Sequence, residues 1–205
     1  MKPVALIKAR EHLDLAKAAA ERLNLENGFK AYEQAWSDFL SQASRFYSKM
    51  EQGCKGCNKS EPWFGNKKHE RRTDALMSYL HHARDSDEHG LERIAEKTGE
   101  RLNVHMKKGA TDVHAKFEMM LDSNGKIHIR NPETSTPQSI DRFEMVNPRT
   151  ELVTVRDHRF GDKFNPPEMH LDRPIVDKTP LGLAKIAIRY LESALNEAST
   201  LPKHI

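Results

Sequence analysis

The stretch from Phe29 to Met50 constrains the fold most, because its apolar and aromatic residues recur every three or four positions. The members of this stripe are Phe29, Tyr32, Trp36, Phe39, Leu40, Ala43, Phe46, Tyr47 and Met50. Such a spacing places one face of an α-helix against a core. The pattern therefore predicts a long amphipathic helix whose aromatic face is buried, rather than a surface on which nucleotide bases would stack.

Three other segments also show helical spacing and clear end signals. Their predicted bounds are Val4–Asn24, Arg72–His89 and 180–198. Gly90 is a natural stop for the helix before it, while Thr179 can cap the last helix and Pro180 suits its first turn. Residues 51–68, between the second and third helices, are predicted to form a polar connection.

The period changes from helical to strand-like beyond residue 110. Val113–Leu121 and Lys126–Arg130 are predicted strands, joined by a turn whose Asn-Gly step favours a hairpin. Glu151–Phe160 is predicted to be a third strand. The chain is therefore expected to be mainly α, with a helical bundle formed by residues 1–95 and 180–198. A small antiparallel β-sheet is inserted at roughly residues 110–160, and residues 1–205 form a single domain.

Length and composition set further bounds on the class of protein. The 205 residues can bury a core without disulfides or metals. No apolar run approaches the roughly 20 residues that span a bilayer, and charge interrupts the N-terminus too early for a signal peptide. We therefore expect a cytoplasmic protein with no membrane partner. The formal net charge of +3 permits a nucleic-acid partner without requiring one.

A short segment of the third predicted helix concentrates titratable side chains. Within residues 79–90 these are His81, His82, Arg84, Asp85, Asp87, Glu88 and His89. Arginine can hold a phosphate with its planar fork, and histidine can move a proton near neutral pH. The segment therefore indicates chemistry on a phosphodiester.

The order of residues in this segment resembles a known signature. Arg84 is followed by four residues, of which the first is polar, and then by His89. This resembles the signature of HEPN domains (higher eukaryotes and prokaryotes nucleotide-binding), many of which are metal-independent ribonucleases. The resemblance implies a helical bundle with no cofactor. It also implies that Arg84 binds the scissile phosphate, that His89 moves the proton, and that Asp85 orients one of them.

The same resemblance implies partners and products. HEPN active sites typically form between two protomers, so a homodimer is expected, with RNA as the substrate. The products would be a 2′,3′-cyclic phosphate and a 5′-hydroxyl. Such domains often serve in toxin–antitoxin or antiviral defence systems, which implies an antitoxin or another regulatory protein as a further partner.

A basic run precedes the third predicted helix and supplies candidate substrate contacts. These candidates are Lys67, Lys68, Arg71 and Arg72, together with His82 on the helix itself. A helix dipole disfavours cations at the start of a helix, so a run placed there is a candidate phosphate-contacting surface. A solvated loop is the alternative interpretation.

Two simpler interpretations of the central helix stay open. Its charges can form ordinary helix pairs, Arg84 with Glu88 and His81 with Asp85, on a solvated face. A HEPN-like scaffold can also act as a non-catalytic interaction or ligand-binding module. Neither alternative requires any RNA cleavage.

A metal site is a third alternative for the same helix. His82, Asp85 and His89 share one stripe and could act as ligands, although no second ligand pair is evident at a standard spacing. Further ligands could come from Cys54, Cys57 or His69. The two cysteines alone form half of a zinc site, a redox pair or a structural element.

Overall fold

A computed structural model describes residues 1–23, 28–89, 95–98, 101–106, 118–121, 127–130, 140–146, 149–157 and 160–202. Its helices are α1 (Pro3–Glu21), α2 (Phe29–Cys54), α3 (Ser60–Thr73), α4 (Ala75–His89) and α5 (Pro180–Thr200). Its strands are β1 (Ala95–Thr98), β2 (Arg101–Met106), β3 (Glu118–Leu121), β4 (Ile127–Arg130), β5 (Ile140–Val146), β6 (Arg149–Leu152), β7 (Val155–Arg156), β8 (Lys163–Phe164), β9 (Met169–His170) and β10 (Arg173–Pro174). The chain is mainly α with short antiparallel strands inserted between the helices, which confirms the predicted class.

The strands form antiparallel pairs, namely β1 with β6, β2 with β5, β3 with β4, β7 with β8 and β9 with β10. The β3–β4 pair confirms the predicted hairpin, and residues 113–117 of the predicted first strand lie outside the described residues. The predicted strand Glu151–Phe160 is wrong as a single element. Its residues divide between β6, which pairs with β1, and β7, which pairs with β8.

The chain divides into two compact units. One consists of Met1–Thr98 with Arg149–Ile205, and the other of Gly99–Pro148. The first unit contains the helices, and the second contains the β2–β5 and β3–β4 pairs. The prediction of a single domain stays a prediction.

The core of the helical unit is built on the aromatic face of α2. Trp36 and Phe39 are fully buried and their rings stack with centroids 5.4 Å apart, which confirms the predicted core stripe. The N–H of Lys2 donates to the carbonyl of Gly53 at 2.9 Å. The start of α1 therefore meets the end of α2, and the two helices pack as an antiparallel hairpin.

The predicted polar connection over residues 51–68 is wrong, because α2 continues to Cys54 and α3 occupies Ser60–Thr73. Phe64 is the one large apolar side chain that α3 buries. The sequence of α3 therefore has almost no apolar residues that recur at helical spacing. Contacts to α5 stabilise the helix instead. The indole N–H of Trp63 donates to Glu197 Oε2 at 3.1 Å, and Lys67 Nζ lies 3.0 Å from the same oxygen.

Side-chain caps begin the last two helices. Asp74 Oδ1 accepts the N–H of Met77 at 2.9 Å, so α4 starts at Ala75 and not at Arg72 or Thr73. Thr179 Oγ1 accepts the N–H of Gly182 at 3.1 Å, which confirms the predicted cap of α5. Among the helices described, none is both long and apolar enough to cross a membrane.

We expect two glycines to respond oppositely to alanine. A Cβ on Gly53 would overlap the Cβ of Ala5 and lie 2.9 Å from Met1 Sδ, whereas no described atom lies within 4 Å of a Cβ on Gly65. Gly53→Ala should lower the free energy of unfolding by about 1–3 kcal/mol through overpacking. Gly65→Ala, inside α3, should raise it by up to about 1 kcal/mol through helix propensity. Denaturant unfolding measures both, and a neutral Gly53→Ala would contradict the close α1–α2 packing.

Candidate functional site

The last turns of α4 hold the guanidinium of Arg84 against the carboxylate of Asp85. Arg84 Nη1 donates to Asp85 Oδ1 at 2.9 Å, and the side chains are 28% and 40% exposed. His81 Nε2 lies 3.8 Å from Asp85 Oδ2. Burial and the charge of Arg71 lower the pKa of His81, although the charge of Asp85 opposes this. Asp85 therefore contacts Arg84, and its role as a residue that orients Arg84 or His89 stays a prediction.

His89 occupies the last position of α4, and its side chain lies outside the described residues. The backbone stays helical from Arg84 to His89. Each residue of an α-helix turns about 100° and rises 1.5 Å, so the two positions lie about 140° apart around the axis and about 7.5 Å apart along it. One copy of a straight α4 therefore cannot direct both side chains at the same phosphate.

His82 packs against the β7–β8 pair. Its ring stacks on Phe164 with centroids 3.6 Å apart, and its Nδ1 lies 3.8 Å from Asp157 Oδ2. Burial lowers the pKa of His82, and the charges of Asp157 and Asp85 oppose the shift. The residue is therefore mostly neutral near pH 7, and its role as a substrate contact stays a prediction.

The basic run at residues 67–72 lies directly before α4, as predicted, but it belongs to α3 and not to a loop. Its arginines occupy the last turn of α3, where the dipole favours cations. Lys67 Nζ lies 3.0 Å from Glu197 of α5, and Lys68 Nζ lies 2.8 Å from Glu51 of α2. Both lysines are therefore engaged with carboxylates on opposite sides of α3.

The two arginines of the run differ from each other. The guanidinium of Arg71 lies 4.8 Å from the ring centroid of Tyr47, and Arg71 lines a small, mainly apolar cavity together with His81. Arg72 is exposed at the end of α3. The fold thus brings Arg71 toward the histidines of α4, while it directs the lysines elsewhere.

The alternative metal site at His82, Asp85 and His89 stays a prediction. In the part of the chain that the structure describes, no three histidine, cysteine, aspartate or glutamate side chains form a group that could hold a metal ion. His82 and Asp85 contact other side chains, and the side chain of the third predicted ligand, His89, is not among the described ones. Cys54 and Cys57 are free thiols and both are buried.

A second cluster of titratable side chains surrounds Asp74, where α3 meets α4. Besides capping α4, Asp74 accepts the N–H of Leu171 at 2.7 Å through Oδ2. His170 Nδ1 lies 2.9 Å from Asp74 Oδ1, and the side chains of Asp74 and His170 are only 6% and 13% exposed. Burial alone would raise the pKa of Asp74, but hydrogen bonds from His170, Leu171 and Met77 outweigh burial and lower it. Because an ionised carboxylate can only accept, Nδ1 of His170 carries the hydrogen in its bond to Asp74.

Tyr190 of α5 joins this cluster to the charges on α3. Its hydroxyl donates to Glu70 Oε2 at 2.6 Å, and its ring meets that of His170 edge-on with centroids 5.6 Å apart. Lys67 Nζ lies 3.3 Å from Glu70 and 3.0 Å from Glu197. Burial is the main cause that raises the pKa of Tyr190, so the phenol stays protonated and serves as a donor.

These residues border an open cleft of about 550 Å³ between α3, α5 and the β9–β10 hairpin. The polar side chains that line it include Lys67, Glu70, His170, Arg173, Arg189 and Tyr190. Sequence reasoning missed this cleft because Asp74 and His170 lie 96 positions apart. The two-residue strands around His170 also carry no periodic signal that would have predicted a hairpin.

Comparison of the chain with protein-family models, with curated proteins and with solved structures gave no match. Assignment of a function therefore depends on the chain's own residues and on the resemblance carried by residues 84–89.

We expect Asp74→Asn to lower the free energy of unfolding by about 1–3 kcal/mol at pH 7, because an amide cannot accept all three hydrogen bonds. The pKa of Asp74 is lowered in the folded state, so its contribution is fully present above the unfolded value of about 3.9. That contribution is lost as the pH falls through the lower folded value. The difference between parent and variant should therefore shrink below about pH 4.

Urea unfolding of both proteins from pH 7 down to pH 3 measures this difference. The control is Asp172→Asn in the exposed turn of the β9–β10 hairpin, where asparagine tolerates a positive φ. This control should change stability by no more than about 0.5 kcal/mol. An equally small effect of Asp74→Asn at pH 7 would contradict the role of Asp74 in joining α4 to the hairpin.

Proposed function

We propose that the protein is a HEPN-type, metal-independent endoribonuclease that acts as a homodimer, with Arg84 and His89 as its catalytic residues. The observation that carries the proposal is the contact between Arg84 and Asp85 on a continuous, partly exposed helix that ends at His89. An arginine can bind a phosphate and a histidine can move a proton, so the two residues together can cleave a phosphodiester. The resemblance of residues 84–89 to the HEPN signature supports the same activity.

The helical geometry supports a site built from two copies. Arg84 and His89 lie about 140° apart on one helix, so they meet at one phosphate when Arg84 of one copy faces His89 of the other. A twofold axis near the end of α4 brings together both pairs, because a symmetric interface uses the same surface of each copy. Dimer formation and catalysis are thus linked in this proposal.

The chemistry follows from the two side chains. A neutral His89 takes the proton of the RNA 2′-hydroxyl, whose oxygen then attacks the adjacent phosphorus. Arg84 donates to the non-bridging oxygens and stabilises the negative charge that develops on them. The 5′-oxygen leaves after it receives a proton from water. The products are a 2′,3′-cyclic phosphate and a 5′-hydroxyl, and Asp85 acts as a positioning residue for Arg84.

The arginines of α3 make most of the contacts to the flanking RNA backbone. Arg72 is exposed, and Arg71 lies near His81, one turn before Arg84 on the neighbouring helix. Lys67 and Lys68 are engaged with carboxylates, so they contribute less to RNA affinity. By the resemblance, the nuclease serves in a toxin–antitoxin or antiviral system, in which an antitoxin or regulatory protein restrains it.

Two heterodimers of matched composition test this function and the shared site together. The first combines an Arg84→Ala subunit with a His89→Ala subunit, so its one arginine and one histidine lie on different chains. The second combines a parent subunit with an Arg84→Ala/His89→Ala subunit, so the same two residues lie on one chain. Each is purified through two different affinity tags, and its cleavage of a cellular RNA pool in EDTA is measured.

We expect the first heterodimer to cleave RNA at least about tenfold faster than the second, since only the first can place an arginine and a histidine across the dimer axis. Homodimers of either single variant should be inactive yet as stable as the parent. The opposite order of the heterodimers would place both residues of a site on one chain and contradict the two-copy site. Absence of cleavage by the parent homodimer and by both heterodimers would favour a non-catalytic binding module.

A further inference from the structure

The cleft between α3, α5 and the β9–β10 hairpin contains no residue of the Arg84–His89 segment, and the proposed RNA cleavage does not use it. At about 550 Å³ it falls within the range of small-ligand pockets in proteins. Every residue that lines it belongs to the unit formed by Met1–Thr98 and Arg149–Ile205. A small molecule is thus an occupant of suitable size.

The charged side chains that line the cleft are either paired with one another or without a described ion pair. Lys67 is held between Glu70 and Glu197, and only 13% of its side chain is exposed. Arg173 and Arg189 also line the cleft, are exposed, and form no ion pair with any side chain that the structure describes. The cleft therefore presents two guanidinium groups, from β10 and from α5, that pair with no described carboxylate, beside one ammonium that two carboxylates share.

His170 adds an oriented imidazole to these two cations. Asp74 holds the hydrogen on Nδ1, so Nε2 is the nitrogen that meets a ligand, either as an acceptor or, when protonated, as a third donor. His170 also pairs with Arg173 across the hairpin. One short hairpin therefore presents both residues to the cleft.

The hairpin is held in a conformation that its sequence does not favour. Leu171 and Asp172 have φ values of 45° and 61°, although a leucine side chain rarely adopts a positive φ. The hydrogen bond from Leu171 N–H to Asp74 and the bond from Ile175 N–H to the carbonyl of Glu168 stabilise the turn. Strained backbone of this kind is concentrated at binding and catalytic sites, where surrounding contacts maintain it.

From these observations we infer that the cleft binds a small phosphomonoester. Its dianionic phosphate lies between Arg173, Arg189 and His170, since guanidinium groups bind phosphate oxygens in pairs and two such groups match a double negative charge. Its organic part lies on the apolar wall formed by Pro174, Ile175 and Ile186. The inference does not depend on RNA cleavage, because none of these residues belongs to the proposed nuclease site.

Calorimetric titration of the full chain with phenyl phosphate at pH 7.5 tests the inference, since the ester is mostly a dianion at that pH. Phenyl sulfate is the matched ligand of similar shape with a single charge. The variants are Arg173→Gln and Arg189→Gln, both at exposed positions where the fold is not at risk. The matched control is Arg10→Gln, an exposed arginine on α1 that does not line the cleft.

We expect phenyl phosphate to bind with a Kd below about 1 mM and phenyl sulfate to bind at least about tenfold more weakly. Each cleft variant should weaken phenyl phosphate by about tenfold or more, the usual effect of losing a charged hydrogen bond, and Arg10→Gln should not. Equal affinity for the two ligands, equal losses in the control, or no binding at about 10 mM would overturn the inference. None of these results involves RNA, so they leave the nuclease proposal to its own test.

Discussion

The buried carboxylate of Asp74 joins parts of the helical unit that are distant in sequence. One oxygen caps α4 and also meets the imidazole of His170, and the other accepts the N–H of Leu171. The position of α4, and hence of Arg84, is therefore coupled to the position of the β9–β10 hairpin. The carboxylate of Asp74 can stay charged although it is buried. Three donors form hydrogen bonds with it and replace those to water that it loses on folding.

Further polar contacts determine where the end of α4 lies. The hydroxyl of Ser37 on α2 donates to Asp87, and the hydroxyl of Tyr79 donates to the carbonyl of Val153 at 2.8 Å. These bonds fix α4 on two sides, so that the turn with Arg84 and Asp85 stays partly exposed. Exposed ion pairs such as Lys68 with Glu51 contribute little by comparison, about 0–1 kcal/mol each.

Sequence patterns predicted the elements that bury a regular apolar face. The stripe on α2, the capped start of α5 and the β3–β4 hairpin each carry a local signal, and each is present. The α3 helix was missed because it buries chiefly Phe64 and depends on contacts of Trp63 and Lys67 with Glu197 of α5. No local pattern encodes such contacts.

The two candidate sites differ in the same way, since one has a local sequence signal and the other has none. The Arg84–His89 segment was evident because its residues are consecutive on one helix, and the contact of Arg84 with Asp85 follows from their proximity. The cleft was not evident, because Lys67, His170 and Arg189 line it together only when α3, the hairpin and α5 pack against one another. Tertiary packing, and not the residue types alone, creates the second site.

The most direct test of the central claim is the chemistry of RNA ends produced by the parent protein in EDTA. The account predicts cleavage that leaves a 2′,3′-cyclic phosphate and a 5′-hydroxyl, and no cleavage at a nucleotide whose 2′-hydroxyl is replaced by hydrogen. Such a result requires the 2′-oxygen as the nucleophile, as the role of His89 demands. Cleavage that leaves a 5′-phosphate, or that continues at the 2′-deoxy position, would contradict the account, because water would then be the nucleophile.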